Sequence, residues 1–378
     1  MERRTVGLSV KNLGRKMIIA AVSTLLISTV AIPEAEAAMS DREQGNIAGY
    51  WSPVLYQDVG NGPHTDIPTA VDFDGDWNGT NNWENIDNYA SGKNPLYPWL
   101  YWSLAETETH YFIGYDVFYA RNDPEGVAGP IGDGLGDHEN DMEGMLLVVR
   151  KPGVTRKDGS VVDRSQFPNG ELELLLAERH GKLGMYSPSN QAICYSPGQD
   201  SVYYDYGFTT IKDQRGEHVR VYSAQNNAPI TEPQGDVGHA LRAYDGKGAK
   251  GNSGYIFEWG GAGVQPQNLN SKDQNQNYWK NYLSDFDESK RMNYGLKALQ
   301  HTLWPLRNDF SIQLWSSYGT FKGDNGKEDA ASAPWGWSFK GYRDLGRGTI
   351  LTDPASFVDA LFKDKGPYSK NYLTNPYR

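Results

Sequence analysis

The most constraining feature of this 378-residue chain is the stretch at residues 135–150, where a dense polar cluster passes directly into an apolar run. Four acids and one histidine lie within seven residues, and five apolar residues follow at 145–149; the cluster comprises Asp137, His138, Glu139, Asp141 and Glu143. Side chains alternate between the two faces of a strand, so Asp141 and Glu143 are expected to share one face with Met145. The pattern predicts a buried strand with two carboxylates at the mouth of an apolar layer.

Carboxylates in that position need a partner. Leaving one unpaired beside an apolar layer costs roughly several kcal/mol, so a cation, a basic side chain or a raised pKa is required. We favour a divalent-metal site; a solvated acidic turn that leads into a strand is the alternative.

The chain before the cluster supplies further candidate ligands. Residues 109–119 alternate as a strand, and a loop rich in Gly, Pro and Asp follows at 121–136. A hairpin of this kind can fold Asp123 or Asp133 back over the acidic cluster. With His138, a third acid would give a mixed oxygen and nitrogen shell, which suits calcium, magnesium or manganese better than structural zinc.

The first 37 residues predict export. Five basic residues precede an apolar run at 17–32, and Ala35-Glu36-Ala37 places small residues at both cleavage-site positions. This is typical of a secretory signal peptide cleaved near Ala37. The apolar run is short for a membrane span. We therefore expect a secreted, extracellular protein.

Charge and cysteine content narrow the function class. Residues 1–37 hold five of the 36 Lys and Arg and three of the 47 Asp and Glu, so 31 basic and 44 acidic side chains remain, a net charge of −13. An acidic surface argues against nucleic acid as a partner. Cys194 is the only cysteine, so an intrachain disulfide is excluded and stability must come from packing or bound metal.

Forty-two glycines, 20 prolines and 12% aromatics favour strands and long loops, with a few short helices. We expect a mostly β domain at residues 38–265 and an aromatic-rich extension at 266–378, packed on the same domain. Residues 50–56 are typical of an edge strand that contains a proline, and residues 292–304 have a helix-like pattern. Residues 356–362 predict a short helix.

Two further regions hold candidate binding residues. Oxygen-bearing side chains recur at every second position in Asp72, Asp74, Asp76 and Asn78, which is how short calcium loops gather ligands; turn-forming Asx residues are the alternative. His180 lies at the end of the strand predicted at 171–181 and is a candidate base that either hydrogen-bonds a metal ligand or faces the substrate, although strand-end histidines are commonly hydrogen-bonded surface groups. His239 is a weaker candidate for the same pocket. The tryptophans after residue 300 indicate a carbohydrate-stacking or membrane-interface surface, or, as we favour, a packed aromatic core.

Residues 109–119, Asp123 and the run Gly136-Asp-His138-Glu-Asn-Asp141-Met-Glu143 resemble the core of the necrosis- and ethylene-inducing peptide-like proteins and a related vacuolar-sorting-associated family. The resemblance covers residues 108–181, with Met142 and Asn140 in place of the family's tryptophan and second histidine. It implies a β-sandwich fold and a divalent cation, calcium or magnesium, held by Asp123, His138, Asp141 and Glu143. It also pairs His180-Gly181 with a family histidine–glycine motif. Toxic members are secreted cytolysins that use the metal to engage sphingolipid sugar headgroups.

Three functional hypotheses follow. The favoured one is a secreted, monomeric, metal-dependent protein that binds glycan or lipid headgroups, with peripheral membrane contact and cytolytic activity. The second is a secreted metal-dependent hydrolase, in which the cation activates water and His180 or Glu139 moves the proton. The third is an envelope protein with purely structural ions. The sequence contains no nucleophile elbow, zinc-protease motif or phosphate loop, which counts against enzymes in general.

Overall fold

One long sheet dominates the chain. The structure is a computed structural model that describes residues 38–59, 64–90, 95–123, 137–179, 181–188, 202–224, 238–244, 246, 253–269, 286–339, 345–361 and 365–378. Residues 37–378 form one compact unit. Within the described ranges, no helix is both long enough and apolar enough to cross a lipid bilayer. The predicted signal peptide at 1–37, His180 and Asp133 lie outside the described residues.

The strands in chain order are β1 (Val54–Val59), β2 (Trp99–Thr107), β3 (His110–Asn122), β4 (His138–Arg150), β5 (Glu171–Arg179), β6 (Lys182–Tyr186), β7 (Val202–Tyr206), β8 (Thr210–Lys212), β9 (Glu217–Ser223), β10 (Leu241–Ala243), β11 (Ser253–Trp259), β12 (Arg291–Ala298), β13 (Trp315–Ser317), β14 (Thr320–Phe321) and β15 (Tyr372–Thr374). The α-helices are α1 (Asp41–Tyr50), α2 (Asn82–Asn85), α3 (Asp87–Ala90), α4 (Leu303–Leu306), α5 (Thr349–Thr352) and α6 (Pro354–Leu361). Short 3₁₀ turns lie at Gly79–Asn81, Leu299–His301, Phe310–Ile312 and Pro334–Gly336.

The main sheet runs in the order β10-β9-β1-β11-β12-β2-β3-β4-β5-β6-β7, with β8 on β9 and β15 on β2. Strand β10, at one end of this path, also lies against β4 and β5, so the sheet nearly closes on itself like a barrel. The predicted mostly β class is confirmed, whereas a β-sandwich is not, because the strands follow one path instead of forming two facing sheets.

Strands β12 and β15 lie beyond residue 265 and belong to this same sheet. The boundary between residues 265 and 266 stays a prediction.

The β3–β4 hairpin forms the centre of the sheet. Its antiparallel register runs from His110 opposite Arg150 to Asn122 opposite His138. All 13 residues of β4 are buried, which explains the apolar run that follows the acidic cluster. The register sets Asp141 opposite Tyr119 and Glu143 opposite Val117, so the two acids share a face, as strand alternation predicts.

The C-terminal aromatics cover the other face of the hairpin. The ring of Phe321 lies 5.5 Å from that of Phe118, and the ring of Tyr368 lies 6.2 Å from that of Phe112. Trp315 and Trp335 are fully buried and pack edge to face, with ring centroids 5.3 Å apart. The packed aromatic core expected for this region is therefore confirmed.

A glycine makes room for this cover. A Cβ at Gly144 would lie 2.4 Å from Cη2 of Trp337 and 2.5 Å from Oδ1 of Asp116. We expect Gly144→Ala to lower the free energy of unfolding by about 1–3 kcal/mol, because the added methyl overpacks this layer. Urea denaturation measures the change. Gly45→Ala is the control, since a Cβ there meets nothing closer than 4.0 Å in helix α1 and should stabilise the protein by about 0.5–1 kcal/mol. Two variants of equal stability would contradict the steric account.

Two predicted elements are wrong and one is confirmed. The helix expected at 292–304 is a strand for most of its length, because β12 pairs in parallel with both β11 and β2 and this pairing overrides local helix propensity. The strand expected at 50–56 begins only after Pro53, and it is central instead of an edge, since β1 lies between β9 and β11. The short helix expected at 356–362 is confirmed as α6.

Candidate functional site

The strongest polar constellation among the described residues is a histidine held between two acids. Nδ1 of His239 lies 2.9 Å from Oδ2 of Asp141, and its Nε2 lies 3.1 Å from Oδ1 of Asp66. His239 and Asp66 are 0% exposed and Asp141 is 5% exposed. The imidazole also stacks on the ring of Tyr119, with ring centroids 3.6 Å apart and an interplanar angle of 8°.

Separate segments bring this acid–histidine–acid group together where the sheet nearly closes. Asp141 lies in β4, Asp66 lies in the segment before β2, and His239 comes two residues before β10. The backbone of His239 has a positive φ of 65°, and its N–H donates to the carbonyl of Ala224 at 2.6 Å. The His239–Asp141 contact therefore joins the β10 end of the sheet to the β4 strand.

Charge explains why this buried group is tolerated. Burial opposes protonation of the ring, but hydrogen bonds to Asp141 and Asp66 outweigh this effect and raise the pKa of His239. In the imidazolium form both ring nitrogens are donors, which matches an acceptor on each side. Since the folded pKa is raised, this contribution to stability is complete below the ordinary histidine pKa and is lost as the pH rises through the folded value.

Tyr119 extends the network away from the histidine. Its hydroxyl donates to Oε1 of Gln57 at 2.5 Å and lies 3.0 Å from Oγ of Ser223. Burial raises the pKa of Tyr119 well above its usual value, so the phenol stays neutral. The Tyr119 side chain is thus held by stacking of its ring on His239 and by the hydrogen bonds of its hydroxyl group.

The structure places the other predicted ligands in different surroundings. Glu143 is 3% exposed and lies on the same face of β4 as Asp141. Asp123 directly follows β3 and is half-buried. The ring of His138 has its own partners: Nε2 lies 3.1 Å from Nδ2 of Asn122, and Nδ1 lies 3.0 Å from the carbonyl oxygen of Asn140.

Glu139 and Asn140 tie neighbouring segments to β4. Glu139 accepts from the backbone N–H groups of Trp83 at 2.8 Å and Asp324 at 3.1 Å, and burial raises its pKa. Asn140 has a positive φ of 58°, and its amide nitrogen donates to the carbonyls of Gly79 and Lys322, each at 2.8 Å. The described contacts give Glu139 a role in holding two loops; its proposed role as a proton carrier stays a prediction.

The donor chemistry fits a hard cation in part. Buried carboxylates such as Asp141 and Glu143 are the ligands that calcium and magnesium prefer. Among the residues that the structure describes, however, no three His, Cys, Asp or Glu side chains form a group that could hold a metal ion. Asp141 bonds to His239, which also bonds to Asp66, whereas the ring of His138 bonds to Asn122 and Asn140. The cation site at Asp123, His138, Asp141 and Glu143 therefore stays a prediction.

The predicted second ion loop forms a ladder of Asx turns. Oδ1 of Asp74 accepts from the N–H of Asp76 at 3.3 Å, and Oδ1 of Asp76 accepts from the N–H of Asn78 at 2.7 Å. Asp72 pairs with Lys297 at 3.5 Å. These contacts are those of the turn-forming alternative. Ion binding by Asp72, Asp74, Asp76 and Asn78 stays a prediction.

Asp66 was not predicted from the sequence, and His239 was predicted only as a weaker candidate. Asp66 lies between Thr65 and Ile67 and belongs to no motif in the sequence. It meets a histidine that is 173 positions away. No local periodicity encodes such a contact. The one local signal in the sequence is Gly238 directly before His239, because glycine favours the positive φ that both residues adopt in the turn before β10.

No protein-family model and no curated protein matches the chain. Among solved structures, the non-toxic HaNLP3 protein is 14% identical, covering 56% of this chain and 73% of its own, with a TM-score of 0.28. NLPPya in complex with mannosamine is 16% identical, covering 56% of this chain and 70% of its own, with a TM-score of 0.27. Necrosis and Ethylene inducing Protein 2 from the causal agent of cocoa's Witches Broom disease is 14% identical, covering 55% and 70%, with a TM-score of 0.26. These neighbours are of the family that the motif resembles.

Proposed function

We propose that this is a secreted, monomeric protein that binds sugar or lipid headgroups at the loop end of the β3–β4 hairpin, with a divalent cation, calcium or magnesium, as the bridge. The observation that carries the proposal is the fixed carboxylate of Asp141, which a fully buried imidazole holds at 2.9 Å. Cytolytic activity at a membrane surface, as the motif resemblance implies, belongs to the same proposal.

The geometry behind Asp141 suits a ligand-binding acid. A carboxylate that is hydrogen-bonded from behind keeps one orientation, and such outer partners typically change metal affinity by about 10–100-fold. An ionised carboxylate offers about four lone-pair sites, so a carboxylate such as Asp141 can accept from a histidine and coordinate an ion at the same time. His239 is in turn fixed by Asp66 and by stacking on Tyr119.

Charge balance supports a cation at the same place. Asp66 and Asp141 flank one imidazolium, so the group carries a net charge of about −1 when both acids are ionised. Glu143 lies two residues further along the same buried face. A bound divalent ion would offset the cost of burying these carboxylates and would present an electrophile to the hydroxyl or phosphate oxygens of a headgroup.

Vesicle binding tests the proposal. We expect Asp141→Asn and Glu143→Gln to weaken calcium-dependent binding to vesicles that contain glycosylated sphingolipid by at least about tenfold, because each removes one carboxylate ligand. Release of an encapsulated dye should fall in parallel. Chelation should have the same effect on the wild-type protein.

The control variant is Glu173→Gln. It neutralises a half-buried carboxylate on β5 that also bonds a histidine, His110 at 3.1 Å, which lies at the opposite end of the β3–β4 hairpin. It should lower stability while vesicle binding per folded molecule persists. Equal loss of binding in all three variants would contradict the proposed site. Loss of turnover on phosphoester or glycoside substrates would assign a hydrolase instead, and loss of melting temperature alone would assign a structural ion.

A further inference from the structure

We propose that Asn78 is an N-glycosylation site. Asn78-Gly79-Thr80 is the only place in the 378 residues where an asparagine is followed, two positions later, by serine or threonine with a non-proline residue between. This pattern is the acceptor motif for N-linked glycan in exported proteins. The inference depends on export through the predicted leader and is independent of headgroup binding.

The local geometry brings the asparagine amide and the threonine hydroxyl together. Oδ1 of Asn78 accepts from the N–H of Thr80 at 3.2 Å and from its Oγ1 at 2.9 Å. The first bond caps the 3₁₀ turn Gly79–Asn81. The amide oxygen of Asn78 is therefore occupied by hydrogen bonds within the turn.

The nitrogen half of the same side chain is available. Among the described contacts, Nδ2 of Asn78 donates no hydrogen bond, and it is not one of the buried polar atoms that lack a partner. It therefore reaches solvent. Asn78 is half-buried, and the preceding Gly75 and Asp76 are exposed. The attachment atom is thus exposed to solvent.

The transfer chemistry leaves the turn intact. Nδ2 forms a bond to the anomeric carbon of a lipid-linked oligosaccharide pyrophosphate, and the bond from that carbon to the pyrophosphate oxygen breaks. The lipid pyrophosphate leaves with the electron pair, and a carboxylate of the transferase takes the amide proton. Oδ1 still accepts from Thr80 afterwards, so a glycan at Asn78 is compatible with the cap that the structure shows.

Mass spectrometry of the protein secreted by its source cells tests the site. The peptide that contains Asn78 should carry hexose-bearing mass, which peptide N-glycosidase removes. Thr80→Ser should keep the modification because the hydroxyl remains, whereas Thr80→Ala should lose nearly all of it.

Asn78→Asp is the sharpest control. It keeps an oxygen that can cap the turn and removes the acceptor nitrogen, so the glycan should be absent while secretion and the melting temperature of the enzymatically deglycosylated protein stay close to wild type. An unmodified Asn78 peptide from the secreted wild-type protein would overturn the proposal, as would a glycan that persists in Asn78→Asp. Either result would leave the vesicle-binding test unaffected.

Discussion

Replacing Arg150 by alanine is expected to lower the free energy of unfolding by about 3–5 kcal/mol, because it removes the buried side of an ion pair together with several hydrogen bonds to carbonyl groups. The Arg150 side chain is fully buried at the end of β4. Its Nε lies 2.6 Å from Oε1 of Glu173, and its Nη2 lies 3.1 Å from Oε2 of the same residue. Alanine would leave the half-buried Glu173 carboxylate beside His110 without the charged partner that Arg150 supplies.

The same side chain fastens the C-terminal segment to the sheet. Arg150 donates to the carbonyl oxygens of Lys365 at 2.5 Å, Pro367 at 2.8 Å and Thr155 at 3.0 Å. Amide hydrogen exchange in residues 365–374 should therefore accelerate in Arg150→Ala more than exchange in β3.

A more exposed ion pair between the β4–β5 connection and β5 is the matched control. Nε of Arg156 lies 2.6 Å from Oε2 of Glu171, but the two side chains are 24% and 29% exposed. Arg156→Ala should cost no more than about 1 kcal/mol, since solvent screens exposed pairs. Urea denaturation of both variants gives the comparison. A similar loss of unfolding free energy in the two variants would contradict the account, because it would show that burial does not strengthen the contacts of Arg150.

Replacing Asp116 by asparagine is expected to remove much of the dependence of stability on pH. Asp116 is 3% exposed beneath the aromatic cover, and its Oδ2 has no hydrogen-bond partner among the described residues. Burial raises the pKa of Asp116 well above its usual value. The folded protein therefore keeps a proton on this acid at pH values where the unfolded chain has lost it.

The sign follows from proton linkage. Above the ordinary aspartate pKa of about 3.9 the unfolded state binds fewer protons at this group, so stability falls as the pH rises, by up to about 1.4 kcal/mol per pH unit, until the folded pKa is reached. Asparagine cannot titrate, so the free energy of unfolding of the variant should change less between pH 5 and 8 than that of the wild type. The difference in stability between the two should shift in favour of the variant as the pH rises.

Urea denaturation at several pH values between 5 and 8 measures this difference in slope. Asp163→Asn is the control, because Asp163 is exposed and hydrogen bonds with Ser165 lower its pKa, which places its titration below this window. Its slope should match that of the wild type. Parallel curves for Asp116→Asn and the wild type would mean that Asp116 is ionised in the folded protein.

The sequence was informative wherever one strand carried its own pattern. The alternation at 109–119 and the apolar run after Glu143 predicted β3, β4 and the shared face of Asp141 and Glu143, because each of these follows from the geometry of a single strand. Likewise, glycine and aromatic content was enough to predict a mostly β class.

Features that depend on distant segments could not be predicted in this way. The near closure of the sheet depends on β10 meeting β4 and β5, and three-residue β10 has too few positions to show a periodicity. Asp141 meets His239, which is 98 positions away, and His239 in turn meets Asp66, which is 173 positions from it. The helix-like pattern at 292–304 failed for the same reason, since β11 and β2 together determine the conformation of β12.

Calorimetric titration of calcium, and in parallel magnesium, into the chain at residues 38–378 tests the central proposal most directly. The account predicts saturable binding of at least one of these ions, weakened about tenfold or more by Asp141→Asn and by Glu143→Gln, and retained in Glu173→Gln. Absence of binding by the folded wild-type protein, or equal affinity in Asp141→Asn, Glu143→Gln and wild type, would contradict it.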